Sequence, residues 1–199
     1  DFILLGTTPP SIPPATAGTN DVFDNRASID LTIPFGTTGP YVTDTGAKWT
    51  GFNSVSDMPT FVVDYITYEV TSATTVRTIG YNTAGGTDVI IPETVSYGST
   101  TYDVTNVGPN SFSNKQLTSV SIPDNVTEIR SGAFQNNNLT TVTIPENMFN
   151  IQSWSFMNNP LTNIVSENTT PPFIPNIGGN DAFDNRGSID LTIPSGTTG

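Results

Sequence analysis

The chain has 199 residues, enough to bury a sizeable core, and carries 18 Asp and Glu against 6 Lys and Arg for a net charge of −12. That acidic field repels nucleic acid and anionic lipid, and no run approaches the roughly 18 apolar residues that span a bilayer. With neither Cys nor His, the sequence excludes thiolate nucleophiles, disulfides, imidazole bases and His or Cys zinc sites.

Taken in chain order, Phe2-Ile3-Leu4 reads as a short strand, and a second strand around Leu31 closes on Pro34, whose missing N–H ends a ladder. Gly36 to Phe52 reads as a short helix start closed by a plug of Trp49, Gly51 and Phe52, with both aromatics in the core. Phe61 to Val70 and Thr75 to Ile79 alternate apolar and polar residues around Ser72-Ala73, which predicts a β-hairpin. Val89-Ile90-Ile91-Pro92 predicts the first strand of a regular series, followed by a nine-residue insertion around Tyr97-Gly98-Ser99 that reads as a protruding hairpin. Tyr97 and Tyr102 on that arm are expected to pack on the rest of the molecule rather than to stack on a sugar.

From there the chain repeats with a constant period of 22, the step from Leu117 to Leu139 and from Leu139 to Leu161. Val120, Val142 and Ile164 keep the same step, as do Phe112, Phe134 and Phe156. Within a repeat the order is L-x-x-V-x-I-P, as in Leu117 to Pro123 and Leu139 to Pro145, then an apolar residue, an Ala/Ser-Phe pair and an Asn-rich turn. Asn tolerates left-handed backbone better than most residues, which suits the turns at 136–138 and 158–159. The Phe precedes its strand by eight residues three times in this block and again from Phe23 to Leu31 and from Phe183 to Leu191. Strand residues 8 and 10 after the Phe are expected to point inward, leaving Ser, Thr, Asn and Asp on an open face. Trp154 is read as core.

A longer repeat lies over the short one. Residues 20–39 and 180–199 agree at seventeen of twenty positions across an offset of 160, and upstream Thr8-Pro9-Pro10 matches Thr170-Pro171-Pro172 with a slip of two. Phe2-Ile3-Leu4 then falls on Ile164-Val165-Ser166. The expected organisation is a window on a tandem array. Residues 1–57 form the C-terminal part and cap of one unit of about 160 residues, and 58–199 form the next unit. Within that second unit, 58–80 is the opening hairpin and 81–194 the repeat strands.

Val-Ile-Ile-Pro-Glu-Thr-Val at 89–95, Leu117 to Ile129, Gly132 to Asn136 and the closing Leu-Thr-Ile-Pro-x-Gly-Thr-Thr resemble the BspA-like leucine-rich repeats of bacterial surface proteins, common in Bacteroidetes. The resemblance implies a β-rich leucine-rich-repeat solenoid with short parallel strands. It also implies a secreted or surface-anchored protein of the bacterial cell surface, with family members linked to adhesion; the long repeat adds the expectation of a surface filament or stalk.

Three sets of residues are candidates for a site. Ser119, Ser121, Thr141, Thr143, Asn163, Asp190 and Thr192 would line the open strand face, either as a surface for an extracellular glycan or protein or as a solvated face that binds nothing. Asp21 and Asp24, with their copies Asp181 and Asp184, offer hard oxygen ligands suited to calcium, against the alternative that they cap turns. A glycosidase-like carboxylate pair would have to come from Asp21, Asp24 and Asp30 or from Asp181, Asp184 and Asp190, and a catalytic site has no need of being copied in every long repeat. The reading is therefore non-catalytic, without cofactor, nucleic-acid partner or membrane insertion. Neighbouring copies of the unit are the expected partners.

Overall fold

A computed structural model describes residues 2–3, 29–33, 54–174, 181–184 and 186–195. The predicted plug at 36–52, with Trp49 and Phe52, lies outside them. The chain divides into two compact units, Asp1–Thr60 and Phe61–Gly199.

In the first unit, β1 (Phe2–Ile3), β2 (Asp30–Ile33) and β3 (Ser54–Asp57) form a parallel sheet in that order. Phe2 pairs with Leu31, and Leu31 in turn with Val55. Leu31 and Ile33 are fully buried, Met58 is 4% exposed, and the Met58 N–H donates to the Ile33 carbonyl at 2.7 Å.

The second unit opens with β4 (Thr60–Val63), β5 (Ile66–Val70) and β6 (Thr75–Tyr81). The run from Phe61 to Val70, expected as one strand, is two, because the chain reverses at Asp64 and Tyr65, both at positive φ (47° and 67°). Two left-handed residues in a row make the tight loop whose twist matches adjoining strands. β5 and β6 are the expected antiparallel hairpin, closed by a buried cross-strand ion pair in which Arg77 meets Glu69 at 2.5 Å. Each charge there has the partner that burial requires.

Next come β7 (Asp88–Ile90), β8 (Thr94–Tyr97) and β9 (Thr100–Val107). The nine-residue insertion is the β8–β9 hairpin, but it does not protrude. β9 runs parallel between β6 and the next strand of a seven-stranded sheet, Val95 and Val104 are buried, and Tyr97 stacks on Phe61 with ring centroids 4.4 Å apart.

The regular coils then add β10 (Ser119–Ser121), β11 (Glu128–Ile129), β12 (Thr141–Ile144), β13 (Asn150–Ile151), β14 (Asn163–Ser166) and β15 (Asp190–Thr192). On one side β7 pairs with β10, and β12, β14 and β15 form a parallel set; on the other, β9, β11 and β13 run parallel. Each coil thus places one strand on each side and turns between them at its Phe. Phe112, Phe134, Phe156 and Phe183 stack in a file, 5.2 Å from centroid to centroid, at the centre of the core. Replacing one ring by Ala in such a file costs about 3–5 kcal/mol.

The corners explain the Asn-rich turns. Asn114, Asn136 and Asn158 share φ values of 58–59°, and the buried side chain of Asn137 donates to the carbonyls of Phe112 and Phe134 while accepting from the N–H groups of Lys115 and Leu117. Asn159 repeats the arrangement one coil later, donating to the carbonyls of Phe134 and Phe156. A second left-handed position recurs at Asn110, Gly132 and Trp154, with φ of 54°, 66° and 61°. Trp154, expected in the core, is 40% exposed, because this position turns the side chain out of the coil.

Candidate functional site

The β7, β10, β12, β14 and β15 strands lay their outward residues in two rows. Strand pairing aligns Asp88 with Ser119 in one row, and Thr141 with Asn163 and Asp190. In the second row Ile90 pairs with Ser121, and Thr143 with Val165 and Thr192. At the usual spacing of parallel strands the face spans roughly 19 Å. Period-two alternation sends Val89, Val142 and Ile144 into the core, and the same alternation holds the hydroxyls out.

All seven residues expected on this face are there. Ser119, Ser121, Thr141, Thr143, Asp190 and Thr192 are exposed and Asn163 is partly so. Three residues of the face were not singled out from the sequence: Asp88, Ile90 and Val165. The pattern of Val89 and Ile91 facing inward before Pro92 already put Asp88 and Ile90 outward, whereas Val165 in an apolar triplet reads as core.

Neither row contains a basic residue. Carboxylates stand at both ends of the first row, and hydroxyl and amide groups lie between. Asp88 accepts hydrogen bonds from the Thr118 and Ser119 hydroxyls at 2.9 and 2.8 Å, and these hold its carboxyl below the usual Asp range. Ile90, 76% exposed, is an apolar contact point in the second row. This chemistry suits a neutral, hydroxyl-rich or amide-rich ligand and opposes an anionic one.

Of the calcium candidates, Asp181 and Asp184 make contacts within the protein. Asp181 accepts from the Phe183 N–H at 3.2 Å and pairs with Arg186, while Asp184 accepts from the Asn158 N–H. Asp181 thus caps its own turn, Asp184 ties that turn to the preceding coil, and among the described residues no group of three or more His, Cys, Asp or Glu lies together. Asp21 and Asp24 lie outside the described residues. Of the other acids, Glu128 on the opposite side of the coils accepts from Asn106, Arg130, Asn150 and Gln152 at 2.8–3.1 Å, a carboxylate committed to joining three coils.

At the β15 end of the solenoid lies an apolar cavity of about 290 Å³, lined among others by Ile144, Ile164, Phe183, Ile189, Leu191 and Ile193. Leu191 and Ile193, expected inward, are 64% and 42% exposed. Leu191 pairs in register with the buried Ile164, but among the described residues no further strand pairs with β15. No helix among the described residues is long and apolar enough to cross a membrane.

Among solved structures, the chain is similar to a leucine-rich repeat protein from Bacteroides capillosus, 22% identical with a TM-score of 0.50, the match covering 68% of this chain and 99% of that one. It also matches a leucine rich cell surface protein from Faecalibacterium prausnitzii (27% identical, TM-score 0.46) over 68% of this chain and 43% of that one. A third match is the pneumococcal vaccine antigen PcpA (16% identical, TM-score 0.49), over 70% of this chain and 39% of that one. No curated protein matches the sequence. The model of the BspA type leucine rich repeat region matches residues 81–198 in six copies. Stacked coils with parallel strands, a central file of Phe rings and that match over more than half its length together make the chain a member of the BspA type leucine-rich repeat family.

Proposed function

We propose that this chain is a non-catalytic stretch of a long, repetitive protein of the bacterial cell surface, in which repeated units provide reach and adhesion by many weak contacts. The observation that carries the reading is the internal copy. Residues 20–39 and 180–199 agree at seventeen of twenty positions, and in each case the copied strand pairs in the same register, Phe2 with Leu31 and Ile164 with Leu191. A unit of about 160 residues that recurs with its strand pairing intact suits a tandem array, whose weak contacts multiply when several are made at once. The partners are neighbouring units and an extracellular glycan or protein. The test is the intact mass of the native polypeptide recovered from the surface of its source cells. A mass many times 21.2 kDa is expected, and a mass near 21.2 kDa sinks the array.

The two-row face favours a second reading, a discrete module that binds one glycan or host protein. Its distinguishing result is saturable binding by a single isolated unit that is lost with Ile90→Asp and Thr143→Asp together.

A further inference from the structure

The side of the solenoid that carries the open face is parted once, in its middle. β7 and β10 pair as one sheet and β12, β14 and β15 as another, and among the described residues no hydrogen bond joins β10 to β12. The same two coils stay paired on their other side, Glu128 with Asn150 and Ile129 with Ile151, and their Phe134 and Phe156 rings keep the 5.2 Å spacing of the file. The parting is closed at both ends. The Asn138 N–H donates to the Leu117 carbonyl at 2.8 Å, and the Asn147 side-chain amide donates to the Asp124 carbonyl at 3.2 Å. Between these ties lies a slit about 13 Å long, four residues of strand.

Strand alternation decides what borders it. Ser121 accepts from the Ile91 N–H on the β7 side, so Val120 turns its own N–H and C=O to the slit. Thr140 and Ile144 accept from Asn163 and Glu167 on the β14 side, so Thr141 and Thr143 turn theirs to it from across. Beside these groups stand the hydroxyls of Ser121 and the two threonines. The floor is apolar. Val120 and Ile122 are partly exposed, whereas Val89, Ile91, Val142 and Ile144 at the same positions of the flanking coils are only 2–4% exposed. Backbone groups set apart beside an apolar floor call for a substitute partner.

We infer that this slit is the binding groove of the open face and that its ligand is a neutral glycan, whose hydroxyls bridge the two strand edges. The inference rests on the reading of the face as a binding module and names the ligand class. A hydroxyl donates and accepts at once, so one such group serves a C=O on one edge and an N–H on the other. An inserted peptide strand needs the edges about 9.6 Å apart, twice the usual strand spacing, and Cα atoms of β10 and β12 still come within 8 Å of each other. The C–H faces of sugar rings suit the floor of Val120 and Ile122. Asp88 and Asp190 at the ends of the first row, with no basic residue in either row, oppose an acidic glycan.

The experiment follows amide hydrogen exchange in the full chain by NMR, alone and with neutral hexasaccharides of glucose and of N-acetylglucosamine, and with hexagalacturonate as the acidic control. In the free chain the N–H groups of Val120, Thr141 and Thr143 are expected to exchange at least about tenfold faster than those of Val142 and Val165, which are paired between β12 and β14. Saturable one-to-one binding of a neutral hexasaccharide is expected to slow those three at least about tenfold. Ser121→Val and Thr143→Val together are expected to weaken binding at least about tenfold, the ratio that two hydrogen bonds support, and Thr101→Val on the β8–β9 hairpin to leave it unchanged. Protection of the three N–H groups in the free chain, or tighter binding of hexagalacturonate, would overturn the proposal. No saturable binding of either neutral hexasaccharide removes the glycan groove and leaves the module reading to a host protein. Binding that leaves the three N–H groups fast also removes the groove. The module reading then survives if Ile90→Asp with Thr143→Asp abolishes that binding, and falls with the groove if it does not.

Discussion

Leu31 and Leu191 sit in the same five-residue strand, and the first is fully buried while the second is 64% exposed. The five-residue strand is the same for both, and each leucine pairs on its near side with one apolar residue, Phe2 in one case and Ile164 in the other. The layer on the far side differs more, supplied over Leu31 by β3 and Met58. In a solenoid each coil buries only half of its apolar surface by itself, and the neighbour buries the rest. Burial here is a property of a pair of coils, not of a residue.

The largest expected effect breaks that comparison directly. Leu31→Ala is expected to destabilise the first unit by about 2–5 kcal/mol, the range for truncating a fully buried Leu. Leu191→Ala is expected to change the stability of the second unit by no more than about 0.5 kcal/mol, as for an exposed position. Urea unfolding of the two variants, followed by probes local to each unit, checks the pair. Equal losses would mean that Leu191 is covered in solution, and the contrast between the two strands would fall.

A smaller effect sharpens the contrast at the corners. Asn137 stands in an interior coil where Arg186 stands in the coil that leads into β15, each three residues after its Phe. Asn137 serves two carbonyls and two N–H groups, all in neighbouring backbone, so Asn137→Ala is expected to cost about 1–3 kcal/mol by leaving buried groups unpaired. Arg186 pairs with Asp181 at a side-chain exposure of 39%, and Arg186→Ala is expected to cost no more than about 1 kcal/mol, with the difference shrinking further in high salt. Denaturant midpoints at low and high ionic strength read both.

The same pairwise logic decides what could be read from the sequence. The short repeat period, the Phe file, the inward Val and Ile of β10, β12 and β14, and the open hydroxyl face were all legible, because each coil meets another of the same pattern. Exposure of Leu191 was not, since the strand Asp-Leu-Thr-Ile-Pro is the same at both places and the few nearby differences, such as Phe35 against Ser195, do not announce it. The break at Asp64-Tyr65 escaped because neither Gly nor Asn marks it and the alternation runs on through the turn. Trp154 misled for a different reason. Its size argues for the core, whereas its alignment with Gly132 one repeat earlier and Asn110 two repeats earlier places it at a left-handed corner. On the candidate face, Asp88 and Ile90 were readable from the alternation around Val89 and Ile91, and Val165 was concealed by the apolar residues beside it.

The smallest expected effect concerns the opposite end of the face from β15. The Ser119 and Thr118 hydroxyls, in that order of influence, hold the Asp88 carboxyl below its ordinary value of 3.8. A carboxyl whose folded value is depressed binds its proton more readily in the unfolded chain. Its contribution to stability is therefore complete above the ordinary value and is lost as the pH falls through the lower folded value. Asp88 is open to water, which keeps the effect slight. Asp88→Asn is expected to remove a small increment of stability near neutral pH and to converge with the parent chain in acid, so that the gap between their denaturant midpoints narrows as the pH drops below about 4. Ser119→Ala is expected to reproduce the larger part of that narrowing and Thr118→Ala the smaller part. A gap that stays constant with pH would mean that the two hydroxyls do not favour the charged form, and the polar end of the first row would then be two independent side chains rather than a linked carboxylate and its donors.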